Sequence, residues 1–271
     1  MANAQHHINT MVKLIDSVPY VSRRETFADF VCMAATAYSN KIDLLQSAKR
    51  EARYLKLIGK YQNQHQHIFG DLLLELVQAM DSEPCDVLGR LFHELDAANA
   101  ASGQFFTPYQ ICKVVADITA GDGEHIKAEI EERGFFRLSE PTCGSAAMVV
   151  AFTQRLRDLG VNYQQNLHVT LTDVDVRACH MAYLHLTLLH VPAIIIHGNT
   201  LSLDEYSHWY TPAHCTELFD IKLRRGFALD SSIGRGYTCV ETESVDSMIP
   251  VEQIYSGRDP VRSLTVQAAL F

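Results

Sequence analysis

Glu140-Pro141-Thr142-Cys143-Gly144-Ser145 follows a short apolar run, Phe135-Phe136-Arg137-Leu138, and precedes an apolar-rich segment from Ala146 to Leu156. A strand, a turn of small residues and a helix N-terminus, in that order, let a ligand approach bare backbone and take hydrogen bonds from free N–H groups. Glu140 adds a carboxylate at the strand's end, which suits a cationic or hydroxyl-bearing ligand better than a phosphate. Asp173 closes the next apolar run in the same way. It can accept from ligand hydroxyls or cap the helix that begins near Val176, a role that suits Asp175 at least as well. Asn199 stands in the turn after a third run and can both donate and accept. Cys143 is near a helix N-terminus, where a thiol can be activated, but no base partner is evident and a packing role is the alternative. His180, His185 and His190 are five residues apart, so successive imidazoles turn by roughly 500° and spiral around the helix instead of converging on a metal. His65 and His67 lie on a Gln-rich turn without a third ligand.

The elements that must hold these residues follow from periodicity. The first hundred residues read as helices throughout. Glu25 to Tyr38, Ile42 to Lys60, Gln66 to Met80 and Cys85 to Asn99 repeat apolar residues every three or four positions, and Ser82 before Glu83-Pro84 reads as a helix start. Tyr109 to Thr119 is helical by spacing and ends in Ala-Gly-Asp-Gly. The pattern then alternates: strands at Phe135–Glu140, Leu167–Thr172 and Ala193–His197, with helices at Ala146–Leu159 and Val176–His190 between them. Such alternation implies a parallel sheet with helices on both faces and ligands at the carboxyl ends of the strands. Three parts result: a helical region over 1–100, an α/β core over 101–223, and an irregular tail over 224–271 with a short strand at Tyr237 to Val240.

The chain has 271 residues and a formal net charge of -9. Ten Lys and Arg face twelve Asp and Glu in residues 1–100, eight face fourteen in 101–223, and five face six in 224–271. The core's acidity argues against a strong overall footprint for nucleic acid. A DNA-facing surface must come from local clusters such as Arg23-Arg24, Lys49-Arg50-Arg53-Lys56-Lys60 or Arg224-Arg225, unless these are solvated helix faces. Seven cysteines without a C-x-x-C fit reduced thiols. No run reaches the length of a membrane span and the N-terminus lacks the features of a signal peptide, so a cytoplasmic protein is expected.

Four motifs in order carry a family resemblance: GQFFTP at 103–108, EPTCGSA at 140–146, LTDVD at 171–175 and HGNTL at 197–201. They resemble the N6-adenine DNA methylases, and the segment from Asp86 to Pro108 resembles the linker of modification subunits of type I restriction systems and of short phage- or plasmid-borne N-6 DNA methylases. The resemblance runs from about residue 84 to 223. It implies an α/β fold in which a helical region precedes a Rossmann-like methyltransferase core, shortened at the C-terminus. It implies S-adenosyl-L-methionine as cofactor, held by Phe106, Thr107, Pro108, Glu140, Pro141, Cys143, Gly144, Ser145, Asp173, Val174 and Asn199. Asp173 would take the ribose hydroxyls, Val174 would face the adenine and Asn199 would meet its edge. DNA is the implied partner, with assembly as a homodimer or as a restriction-modification subunit.

The chain departs from the family at its catalytic motif. The family's NPP[YF] or DPP[YF] tetrapeptide occurs nowhere in the sequence. Where it is expected stands Leu218 to Phe227, whose FDIKL half resembles the family strand and whose Arg224-Arg225-Gly226 replaces the catalytic turn. An exocyclic amine needs an acceptor for its hydrogens and an aromatic face for the base. The stretch from Asp204 to His214, read as a loop, offers both: Asp204 or Glu205 as acceptor, and Tyr206, Trp209 or Tyr210 as the stacking ring. Asp204, Trp209 and Tyr210 are the expected catalytic residues, with packing as the alternative for the two aromatics. Three classes therefore stand: an N6-adenine DNA methylase, a non-catalytic cofactor- or partner-binding protein, and a small-molecule or RNA methyltransferase.

Overall fold

The structure is a computed structural model that describes residues 3–96 and 107–241. Five helices come first: α1 (Ala4–Asp16), α2 (Arg23–Ser39), α3 (Leu44–Ile58), α4 (Ile68–Ser82) and α5 (Val87–Asp96). Their starts follow from capping chemistry. Asn3, Ser22 and Asp43 each accept from a backbone N–H three residues on, that of His6, Glu25 and Gln46, filling donors that the first turn leaves open. The expected start at Ser82 is corrected: Ser82 ends α4 with its hydroxyl turned back to Ala79 O, and Asp86 instead accepts from Gly89 N at the head of α5. Helix α2 is buried almost all round, because it lies between α3, α4 and α5 on one side and the α/β core on the other.

Beyond Pro108 come α6 (Tyr109–Ala120), α7 (Glu124–Arg133), β1 (Phe136–Glu140), α8 (Ala147–Asp158), the short α9 (Tyr163–Asn166), β2 (Leu167–Asp173), α10 (Val176–Leu188), β3 (Ala193–Asn199) and β4 (Asp204–Tyr210). The sheet order is β1-β2-β3-β4, with the first three strands parallel and β4 antiparallel to β3. Two right-handed crossovers in the same direction put α8 and α10 on one face. Under them Leu167, Val169, Leu171, Ala193 and Ile195 are fully buried. Among the described residues the other face is covered at its lower end, where His168 meets Phe219, while Ser139, Thr170, Thr172 and Ile194 are half-buried. A single apolar core runs from Ile8, Phe30 and Leu72 in the helices to Val169 and Ile195 in the sheet. The helical region and the α/β core thus share their packing.

Three expectations are corrected after residue 203. The stretch from Asp204 to His214 is a strand followed by α11 (Pro212–Thr216), not a loop. Its hairpin is possible because residue 198 is glycine: a Cβ there would stand 2.5 Å from Asp204 O, at the register shift between His197 and Gly198. FDIKL forms α12 (Phe219–Arg225) instead of a strand. Phe219 anchors that helix in a buried ring cluster with Phe135 at 5.5 Å and His168 at 5.0 Å, below the start of the sheet. Tyr237 to Val240 lies within α13 (Ser232–Glu241), whose head is fixed by Ser231 Oγ accepting from Gly234 N.

Leu203, exposed at the hairpin with φ 61, holds a left-handed conformation that costs a side chain about 1–2 kcal/mol. Leu203→Gly is expected to raise the urea midpoint by the equivalent of about 0.5–1 kcal/mol, since no packing is lost and only part of the relief returns as chain entropy. An unchanged or lower midpoint would mean that Leu203 is not held in that conformation in solution.

Candidate functional site

The carboxyl ends of β1, β2 and β3 meet at the Glu140–Ser145 turn. Cys143 N donates to Thr172 O at 2.9 Å and Thr200 Oγ1 donates to Pro141 O at 2.6 Å, so the turn is tied to the ends of β2 and β3. Gly144 has φ 52 and Ala146 has φ 68. The N-cap of α8 falls on Ala146, which has no side-chain acceptor, so the first-turn N–H groups carry no side-chain cap.

Asp173 organises this turn. Its Oδ2 accepts from Gly144 N and its Oδ1 from Asp175 N, each at 2.9 Å. Burial raises its pKa, and those N–H bonds work against the rise by stabilising the carboxylate. The helix cap falls to Asp175, whose side chain accepts from Arg177 N and pairs with the Arg177 guanidinium at 2.7 Å. Of the two roles that the sequence left open for Asp173, the helix cap is taken by Asp175.

Glu140 is only 3% exposed. Its Oε1 is 3.4 Å from Thr142 N, and its Oε2 is enclosed with no hydrogen-bond partner among the described residues. Burial foremost, then the charge of Asp173, pushes its pKa up to about 7, against the pull of the Thr142 N–H. A buried acceptor without a donor costs about 1–3 kcal/mol, so this oxygen marks a position that a ligand donor would fill. Ser145 Oγ is enclosed in the same unpartnered way.

The other expected residues gather at this end, with exceptions. Val174 is 65% exposed and His197 Nε2 donates to its carbonyl. Asn199 Oδ1 accepts from Leu201 N and Ser202 N, and its amide N–H groups have no partner among the described residues. Thr107 and Pro108 lead into α6, whose first-turn Cys112 is raised to about 11 by burial and the charges of Asp86 and Glu140. Phe106, like Phe105, lies outside the described residues. Cys143 is buried, and burial drives its thiol pKa well up, the opposite of an activated nucleophile.

Asp204 pairs with Asn199 at the hairpin end of β4 and accepts from Ser202 Oγ. Trp209 does not join it. Along a strand the two are separated by about 17 Å, and the Trp209 ring is 5% exposed under α10, 4.8 Å from His180 and 5.6 Å from Tyr183. Tyr210 points to the opposite sheet face, 5.3 Å from the His214 ring. Tyr206, exposed and 5.1 Å from the His197 ring, is the aromatic nearest Asp204 along β4.

His185 was legible only as a non-metal histidine, yet it braces the site. One ring nitrogen, Nδ1, donates to Ser145 O at 2.7 Å and Nε2 accepts from Leu88 N at 3.3 Å, joining the turn to α5. Burial lowers its pKa, which keeps the neutral tautomer that both bonds require. No sequence signal marks this role, because both partners are backbone atoms from distant segments. Among the described residues no group of three or more His, Cys, Asp and Glu forms a metal site, and no helix is long and apolar enough to cross a membrane.

No curated protein matches the sequence. Among solved structures the chain is similar to a Listeria monocytogenes protein assigned to the class I S-adenosylmethionine-dependent methyltransferases, with 13% identity and TM-score 0.41 over 73% of this chain and 54% of that one. It is also similar to the methyltransferase subunit of a type I restriction-modification system from Streptococcus thermophilus, with 18% identity and TM-score 0.37 over 69% of this chain and 38% of that one. The chain thus spans about half or less of the length of these structures. Residues 85–220, just over half of the chain and containing the whole strand-end site, match the N-6 DNA methylase family, and the chain belongs to that family.

Proposed function

We propose that the chain binds S-adenosyl-L-methionine at the ends of β1, β2 and β3 and transfers its methyl group to the N6 amine of adenine in DNA. The observation that carries this reading is the enclosed, unpartnered Glu140 Oε2 beside a turn held open by Asp173. The residues fit the cofactor. Glu140 offers a carboxylate to the ammonium of its methionine end. Asp173 spends one hydrogen bond per oxygen on the turn and keeps lone pairs for the two ribose hydroxyls. Val174 supplies an apolar face, and the Asn199 amide donates to the adenine edge. Thr107, Pro108, Pro141, Cys143, Gly144 and Ser145 shape the wall. When bound, the cofactor supplies an electrophilic methyl group.

The chain's own task is to hold the target amine. Asp204 accepts its hydrogens, and Tyr206 takes over the stacking role for the base, since the Trp209 ring is committed to the core. A second reading, cofactor binding without transfer, is favoured by α12, which stands where the family carries its catalytic strand and turn. The first reading requires a cytoplasmic protein. Its assembly as a homodimer or within a restriction-modification complex is read by light scattering alone and with a specificity subunit.

The test is methyl transfer from labelled cofactor to mixed single- and double-stranded DNA, with calorimetry of cofactor binding beside it. Label in N6-methyladenine supports the methylase. Binding with no transfer to any substrate supports the second reading, and no binding at millimolar cofactor removes both. Asp173→Ala is expected to weaken cofactor binding by about 1–3 kcal/mol, because the hydroxyls and the Gly144 N–H lose their acceptor together.

A further inference from the structure

Helix α3 is nearly all surface. Of its fifteen residues only Arg50 is buried, and Leu45 is 95% exposed. Arg50 fixes how the helix sits. Its Nη1 bonds Asp43 Oδ2 at 2.7 Å and Ser39 Oγ, its Nη2 donates to His208 O at 2.8 Å, and its guanidinium lies 4.0 Å from the centre of the Trp209 ring. Arg50 thus ties the helix to β4, Tyr54, Leu57 and Ile58 pack against the core, and the remaining residues face solvent.

Those residues are not a mixed solvated face. Helix α3 carries four basic side chains and one acid in a protein of net charge -9. Lys49, Arg53 and Lys56 follow one another at i, i+4 and i+7, within about 60° of one line along the helix. All three are exposed, and none pairs with a carboxylate among the described residues. Glu51, the one acid, falls about 200° round from Lys49 and accepts from Asn40 Nδ2.

The line also has a direction. Arg50 is fixed at His208 and Trp209 of β4. Phe27, in the first half of α2, lies 5.9 Å from the Phe92 ring, and the guanidinium of Arg177, directly after the Asp173–Asp175 corner, is 6.0 Å from that same ring. Lys60, just past the helix, pairs with Glu25 and Asp29 in the first half of α2. The basic line thus climbs along the sheet edge toward the ends of β1, β2 and β3. It spans about 10 Å, close to three base-pair steps along the axis of a duplex. Asp204 and Glu205 at the hairpin repel phosphate, which confines an approaching backbone to the α3 side.

We propose that Lys49, Arg53 and Lys56 form a rail for the phosphate backbone of DNA, leading the nucleic acid along α3 to the strand-end site. The proposal rests on the DNA reading above and is tested separately from methyl transfer. Fluorescence anisotropy of a short duplex and of its single strand is followed over a range of salt with the full chain, and polyglutamate is the competing anion. Replacing Lys49→Gln, Arg53→Gln and Lys56→Gln together is expected to lower affinity about a hundredfold near 0.1 M salt and to reduce the slope of log K against log salt by about 2–3. Cofactor affinity by calorimetry stays unchanged, which certifies the fold of the variant. Arg224→Gln with Arg225→Gln, on α12 at the opposite end of the sheet, leaves the slope as it is.

Salt-sensitive, rail-dependent DNA binding without methyl transfer keeps this proposal and removes the methylase reading. Methyl transfer with unaltered DNA affinity in the triple variant keeps that reading and overturns the rail. The rail is equally overturned if the wild-type chain binds neither form of DNA, if the α12 pair carries the slope, or if the triple variant loses only polyglutamate, which would assign the stripe to an acidic protein.

Discussion

Trp209→Ala is expected to lower the unfolding free energy by about 3–5 kcal/mol in urea titration, the range for deleting a large buried aromatic. The ring pairs with Ile195 across the sheet, lies edge-on to His180 and Tyr183 beneath α10, and carries the Arg50 guanidinium on its face. Its removal would leave a cavity where the helical region meets the sheet and would strip the cover from a buried cation. Trp209→Phe should recover more than half of the loss, because most of the apolar contact is kept. Cofactor affinity measured well below the urea midpoint should not change. A loss under about 1 kcal/mol would mean that the ring does not pack as described, and would return it to the list of residues that could stack on a base.

The parallel strands were legible because each is a short apolar run ended by a polar residue that has work to do there. The expected strand at Phe135–Glu140 is Phe136–Glu140, and the expected ends at Thr172 and His197 extend to Asp173 and Asn199. Strand β4 was not legible, because Asp-Glu-Tyr-Ser-His-Trp-Tyr contains one deeply buried side chain and owes its pairing to β3. FDIKL misled for the opposite reason. Its apolar residues suit a strand in isolation, yet only Phe219 is buried, and that single anchor lets the segment close as a helix ended by Gly226 at φ 83. Helix α7 escaped notice because Ile126 is its only buried residue. At the site, the polar residues at strand ends could be read directly. The brace from His185 and the clamp from Arg50 could not, since their partners lie 40 and 158 residues away along the chain.

Glu140 gives the site a pH dependence with a definite sign. Its folded pKa of about 7 lies above the ordinary 4.5, so folding opposes ionisation of this group. The apo protein should therefore lose stability as pH rises from about 4.5 through 7 and level off above, by about 3 kcal/mol in all. Glu140→Gln removes that loss. The variant should exceed the wild type in urea stability at about pH 8 by a similar amount and differ little near pH 5. Binding of S-adenosyl-L-methionine should run the other way, because its ammonium needs the ionised carboxylate. Between about pH 6 and pH 8 the ionised fraction rises roughly tenfold, and the wild-type affinity should rise with it. In Glu140→Gln the affinity should be lower at pH 8 and flat across this range. An apo variant no more stable than the wild type at pH 8 would show that the carboxyl is hydrated instead of enclosed. An unchanged pH profile of binding in the variant would show that the ammonium sits elsewhere, even if the cofactor still binds.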